Sequence, residues 1–136
     1  MNQQLVKLRF VFVSCLLLAT VAFVSGRAET PGASATAQFE TRCGWFSNPT
    51  PANASLLDSE AEWLIGAQGG YQAEGDWPDF GPKQWVETNG PHGYGCACLR
   101  LRVNRKTHEV IEIASARPRP LSVCRRDRSL RKWDFK

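Results

Sequence analysis

The chain has 136 residues, 43% of them hydrophobic and 22% charged, with a net charge of +4, a length that suits one domain. The modest net charge hides an uneven distribution. From Cys43 to Cys98 seven acids face Lys83 alone, a net −6, whereas from Leu99 to Lys136 twelve Lys and Arg face Glu109, Glu112, Asp127 and Asp134, a net +8. No nucleic-acid-binding motif accompanies the basic half. Its arginines point instead to phosphate or lipopolysaccharide, or to pairing with the acidic half of the same chain.

Lys7 and Arg9 lead into an uncharged apolar run of about 15 residues, Phe10 to Val24, followed by the small and polar residues Ser25 to Thr30. That order is the signature of a secretory signal peptide. The run falls short of the roughly 20 residues that span a bilayer. Gly26 and Ala28 place small residues at the cleavage-determining positions, so the signal peptide is expected over residues 1–28, with no stable membrane insertion after cleavage. Cys15 leaves with it, and the mature chain is periplasmic or secreted. Residues 29–41, rich in Ala, Thr, Ser, Gly and Pro, read as a flexible leader. A single disulfide-stabilised domain is expected over residues 42–136.

Cys43, Cys96, Cys98 and Cys124 remain. An even count in an exported chain with a small core implies two disulfides. On an extended strand Cys96 and Cys98 leave the same face about 6.6 Å apart, whereas a disulfide needs Cβ atoms facing each other within roughly 4 Å. Each therefore reaches a distant partner, one taking Cys43 and the other Cys124, with the assignment open. Redox chemistry lacks support, because Cys43-Gly44-Trp45-Phe46 has no second cysteine and nothing nearby supplies a thiolate. Zinc sites bring ligands in two close pairs, whereas Cys43 and Cys124 each stand alone. No metal or cofactor is expected.

The expected fold is mainly β, with α+β as the alternative: a small antiparallel sheet with a central hairpin, long ordered loops and a short C-terminal helix. Arg42 to Asn48 pairs alongside Leu56 to Ile65, which reads as two apolar ends around a polar turn. On Cys96 to Val103, Ala97, Leu99, Leu101 and Val103 alternate with the cysteines and arginines, the pattern of a half-buried strand. Asn104 to His108 is a polar turn, and the return strand carries Ile111 and Ile113 on one face. Arg117-Pro118-Arg119-Pro120 is expected to end the strand, since proline cannot continue a paired one. Pro120 to Leu130 suits a short helix carrying Cys124, and the basic tail after Leu130 has no stop signal, so fraying is the expectation.

Between Trp63 and Gly95 the chain is dense in Gly, Pro and aromatics, a composition of ordered loops with special backbone angles. Trp45, Trp63 and Trp85 are assigned to packing, because small domains build cores from large aromatics. Trp77, beside Pro78, is the tryptophan expected to be exposed. With Asp76, Asp79 and His92 it forms the candidate binding set. No Ser or Thr sits in a nucleophile elbow, and Asp76 and Asp79, three residues apart in a loop, suit turn and cap roles better than a hydrolytic carboxylate pair. No enzyme is expected.

Arg42-Cys43-Gly44-Trp45, Asn48-Pro49-Thr50-Pro51, the Gly69-Gly70 to Glu74-Gly75 stretch, and Thr88-Asn89-Gly90 leading into Gly95-Cys96-Ala97-Cys98 together resemble a bacterial family of small exported proteins, domain of unknown function 4087. The likeness covers roughly Arg42 to Leu130. It implies an envelope or secreted location and one domain, and supplies no activity, ligand or catalytic residue. The function expected is a non-catalytic binding or inhibitor module acting on a protein or glycan of the cell envelope through the Gly69 to Gly95 loops. One version faces a cationic enzyme such as a lysozyme with Asp58, Glu60, Asp76 and Asp79. The alternatives are a thiol redox or metal-handling protein using Cys96 and Cys98, and an envelope protein binding anionic lipid or glycan through the Arg-rich half.

Overall fold

The computed structural model describes residues Gln38 to Phe135. The signal peptide with its cleavage after Ala28 and most of the leader lie outside the described residues. The elements in order are β1 (Glu40–Thr50), β2 (Asn53–Leu57), β3 (Glu62–Gly66), β4 (Glu74–Gly75), β5 (Trp85–Asn89), β6 (His92–Asn104), β7 (Glu109–Arg119), α1 (Leu121–Arg126) and a 3-10 turn at Arg128–Leu130. The protein is mainly β, as the alternating sequence requires, with one short C-terminal helix. β1 starts at Glu40, two residues ahead of Arg42.

The strands form one sheet in the order β4-β7-β3-β2-β1-β6-β5, and β6 also pairs with β7. That extra pairing closes the five principal strands into a ring, β1-β2-β3-β7-β6. Four contacts of the ring are antiparallel, and β3 meets β7 in parallel at Leu64 and Glu109. The connectivity is that of five-stranded Greek-key barrels of the OB class, and connectivity alone assigns no ligand. Closure follows from edge chemistry, since a ring leaves few unpaired backbone groups.

Period two decides what fills the barrel. Phe46, Leu56, Trp63, Ile65, Ala97, Leu99, Leu101, Val103, Val110 and Ile113 form the interior cluster. The residues between them build a second cluster on the outer wall, where Trp45, Leu57, Tyr94 and Cys96 meet Cys124 and Leu130 of the C-terminal segment. Cys96 and Cys98 share the outer face, as strand geometry demanded, and each bonds outside the pair. Cys43 joins Cys98 and Cys96 joins Cys124.

Three details differ from the sequence reading. Val110 and Ile113 point inward while Ile111 is exposed, because the β6–β7 register skips a residue between Arg102 and Val103 and such a bulge breaks the alternation. Strand β7 continues through Pro118, which lies opposite Ala97. Beyond Ile113 the strand pairs only with β6, and on an open edge a missing N–H can face away from the ladder. The tail is docked: Trp133 Nε1 donates to the Asp58 carbonyl at 2.7 Å, and Phe135 packs on Trp45 and Tyr94 with ring centroids 5.3 and 4.7 Å away.

Asp58, in the β2–β3 turn and 4% exposed, gathers these parts. Its Oδ1 accepts from the backbone N–H groups of Glu60 and Ala61 at 2.7 and 2.8 Å, and its Oδ2 from Arg42 Nη1 at 2.6 Å and Trp63 Nε1 at 3.0 Å. Arg42 lies over the Trp63 ring, 4.0 Å from its centroid, and also bonds Glu40 and Glu60. Burial alone would push the Asp58 carboxyl up, but the hydrogen bonds from Ala61, Arg42 and Glu60 outweigh it and hold the group below its ordinary value. A carboxylate with a depressed pKa contributes stability that is complete above its unfolded value and is lost as pH falls through its folded one. Asp58→Asn is therefore expected to cost about 1.5 to 3 kcal/mol near neutral pH by removing the buried one of the three carboxylates that Arg42 bonds. Urea unfolding from pH 7 down to about pH 2 should show the gap to wild type closing on acidification; a gap constant over that range would contradict this account.

Candidate functional site

The segment after β3 returns across one end of the barrel and is fixed at several points. Tyr71 Oη donates to the Val110 carbonyl at 2.7 Å, Ala73 N donates to the Ile65 carbonyl at 2.8 Å, and β4 pairs with β7 at Glu112 and Ile113. The chain then runs through Trp77, the buried Pro78 and Phe80 into a tight turn, where Gln84 N donates to the Gly81 carbonyl at 2.9 Å and Gln84 Oε1 accepts from Gly81 N at 3.1 Å.

Gly93 and Gly95 on the inner face of β6 let this segment lie against the strand. A Cβ on Gly95 would stand 2.5 Å from the Phe80 ring and 2.8 Å from the Gln84 carbonyl oxygen, and one on Gly93 would collide with the Val86 carbonyl. Phe80 thus occupies the space that a β6 side chain would fill. Phe46, on β1 and 2% exposed, is the hub. Its ring centroid lies 5.7 Å from Trp77, 5.8 Å from Phe80 and 6.4 Å from Trp85, and Phe80 and Trp85 are 4.9 Å apart. Trp85 Nε1 donates to the Pro91 carbonyl at 3.1 Å, which fixes its ring. Between these rings and Pro78, Pro82 and Pro91 opens a groove of roughly 700 Å³.

Polar and apolar surface line it in comparable amounts, although few of the lining residues carry polar side chains. Asn48 lies at one edge, but its Nδ2 donates to the Thr50 and Asn53 carbonyls at 2.9 and 2.5 Å and its Oδ1 meets His92 Nδ1 at 2.8 Å. Glu87 is the one charged side chain among the lining residues, and it is exposed. Among the described residues Trp77 Nε1 has no hydrogen-bond partner and is not a buried orphan.

Of the candidate binding set, Trp77 lines the groove, half-buried rather than exposed. His92 touches the groove only through Asn48, and Asp76 and Asp79 are exposed on either side of Trp77-Pro78 without lining it. Asp58 and Glu60 do not face outward as a pair: Asp58 is buried on Arg42, and Glu60 bonds both Arg42 and Arg105. The sequence reading missed Phe46, Phe80 and Trp85 as groove walls. The alternate glycines at 93 and 95 were the available signal, because a strand without side chains on one face invites another segment onto it. Among the described residues no three His, Cys, Asp or Glu lie close enough to hold a metal ion, and no helix is long and apolar enough to cross a membrane.

The site and fold together define a small, disulfide-stapled β-barrel domain with an aromatic groove at one end. Residues 37–131 match the family described as Protein of unknown function (DUF4087), and the chain belongs to that family. No curated protein and no solved structure matches it.

If the glycines shape the groove, Gly95→Ala should cost about 1 to 3 kcal/mol, the range for overpacking, and shift tryptophan emission to the red as Trp77 and Trp85 lose cover. Gly70→Ala serves as the control, since its Cβ would meet nothing closer than 3.7 Å. Equal urea midpoints for the two variants would show that the segment does not depend on close contact with β6.

Proposed function

We propose that the chain is an exported, non-catalytic binding module that holds an extended, proline-containing peptide segment of a protein partner in its aromatic groove. The observation that carries this reading is the set of rings around Phe46, with the half-buried Trp77 among the lining residues. A polyproline-type peptide offers apolar ridges and unbonded carbonyls, and it docks in aromatic-lined grooves with little entropy to lose. The Trp77 indole N–H supplies a donor for such a carbonyl, and Glu87 at the rim favours a basic residue beside the prolines. A sugar would need several side-chain partners for its hydroxyls, and the amide of Asn48 is already engaged on both sides.

The absence of catalysis in this reading rests on His92. Its ring meets Asn48 rather than a nucleophile or a carboxylate, whereas general-base work needs a proton within hydrogen-bond reach. Export to the periplasm or beyond rests on the two disulfides, which persist in oxidising compartments, and on the signal-like start of the sequence. The docked acidic turn argues against the lysozyme-facing version, because Asp58 and Glu60 are spent on Arg42 and Arg105.

The test is a panel of displayed peptides containing proline with and without arginine, alongside an array of envelope glycans, with binding read by tryptophan fluorescence. Proline-arginine peptides are expected to bind. Trp77→Ala should weaken them about tenfold or more, as buried aromatic anchors do, and Glu87→Gln should lower their preference for arginine at low salt without changing the urea midpoint. Capture by glycans alone would replace the peptide reading with a carbohydrate one.

A further inference from the structure

The two disulfides sit in opposite surroundings. Cys96 and Cys124 are 1% and 3% exposed, in the outer-wall cluster with Trp45 and Leu130. Cys43 is exposed and Cys98 half-buried. They are direct partners in the β1–β6 ladder, with Cα atoms 4.0 Å apart. The row continues across the next strand, where Arg117 on β7 lies opposite Cys98, and Arg100 follows two residues along the same face of β6. Arg100 and Arg117 are exposed, and neither has an ion-pair partner among the described residues. Residues directly opposite in an antiparallel pair hold their Cβ atoms roughly 4.5 to 5.5 Å apart, so Arg117 stands beside Cys98 with no acid next to it in the ladder, while the Arg100 guanidinium lies 4.6 Å from the centroid of the Phe39 ring.

We propose that Cys43–Cys98 is a thiol–disulfide exchange site for a dithiol, while Cys96–Cys124 remains the structural staple. The incoming thiolate attacks Cys43 Sγ, the accessible sulfur. The Cys43–Cys98 bond breaks, its electron pair leaves on Cys98 Sγ as a thiolate, and a mixed disulfide joins Cys43 to the reagent. The second thiol of the reagent loses its proton to solvent, attacks its own first sulfur and releases Cys43. The protein disulfide gains two electrons and two protons, and the dithiol becomes a disulfide. Exchange is faster when the leaving thiolate is stabilised, and nearby arginine lowers a thiol's pKa; Arg117 and Arg100 supply that stabilisation. The nine register pairs between β1 and β6 keep the reduced cysteines opposite each other, so the domain stays folded and the bond re-forms.

Dithiothreitol is the probe, applied to the mature chain at neutral pH, with acid quenching, N-ethylmaleimide labelling and peptide mass mapping. Cys43 and Cys98 should become labelled together at least about ten times faster than Cys96 and Cys124, with circular dichroism and tryptophan emission unchanged. Arg117→Gln and Arg100→Gln should each slow that step about threefold, the size of one solvent-screened charge at this range, and added salt should erase the difference. In Cys43→Ser the remaining Cys98 thiol should titrate below the ordinary value of about 8.5, and Arg117→Gln should raise it. Reduction of both bridges at one rate with unfolding, or of Cys96–Cys124 first, would overturn the exchange site. Arginine variants with unchanged rates and titration would overturn the role given to Arg117 and Arg100.

Discussion

One buried carboxylate ties the architecture together. Asp58 binds β1 through Arg42, its own turn through Glu60 and Ala61, β3 through Trp63, and the C-terminal tail through its carbonyl and Trp133. A buried ion pair is a doubtful source of net stability, because desolvating two charges offsets much of their attraction, and apolar replacements are often as stable. Apolar groups, however, have no directionality. Four donors converging on two oxygens fix where β1, β3 and the turn stand relative to one another, and the same residue then sets where the tail lands. The barrel is closed by only a short parallel contact between β3 and β7, and β3 is placed by its antiparallel ladder with β2 together with the Trp63 to Asp58 hydrogen bond.

The tail in turn decides what the outer wall can be. Trp45 and Tyr94 alternate with interior residues and would stand in water on a bare sheet. Phe135, Leu130 and the Cys96–Cys124 bridge cover them. The barrel therefore has an apolar wall on both sides over part of β1 and β6, and the side chains of those strands lose their simple inside and outside. Where the tail ends its cover, the outer face turns basic, and the second disulfide lies there in the open. One bridge thus ties the C-terminal helix to β6, and the other joins two residues already paired in the β1–β6 ladder.

Legibility in the sequence followed the range of the interaction. The cysteine pairing rule, the β6–β7 hairpin and the turn between β2 and β3 rest on period two and local turn chemistry, and they were readable from residues adjacent in the chain. Ile111 was misplaced because a bulge breaks the period without leaving a mark in composition. Pro118 was read as a stop because its effect depends on which neighbour its missing N–H faces, a property of the assembled sheet. Closure through β3 and β7, and the docking of Trp133 and Phe135, depend on contacts between residues tens of positions apart. Asp58 illustrates the limit best: a polar Asp-Ser-Glu turn reads as solvent-facing until Arg42, 16 residues earlier, is brought against it.

The candidate site was half readable for the same reason. An aromatic, proline-rich and glycine-rich stretch announced an ordered surface, and Trp77 belongs to it. Its floor, Phe46, comes from a different part of the chain, and the relation between them exists only because Gly95 leaves room for Phe80 over β6. A groove built this way is preorganised, since its rings are held by a closed barrel and by the Trp85 to Pro91 hydrogen bond instead of by a ligand. Preorganisation of this kind lowers the entropy cost of any binding event. The shape between the rings is set by the glycines of β6, which let Phe80 and the Gln84–Val86 backbone lie against the strand.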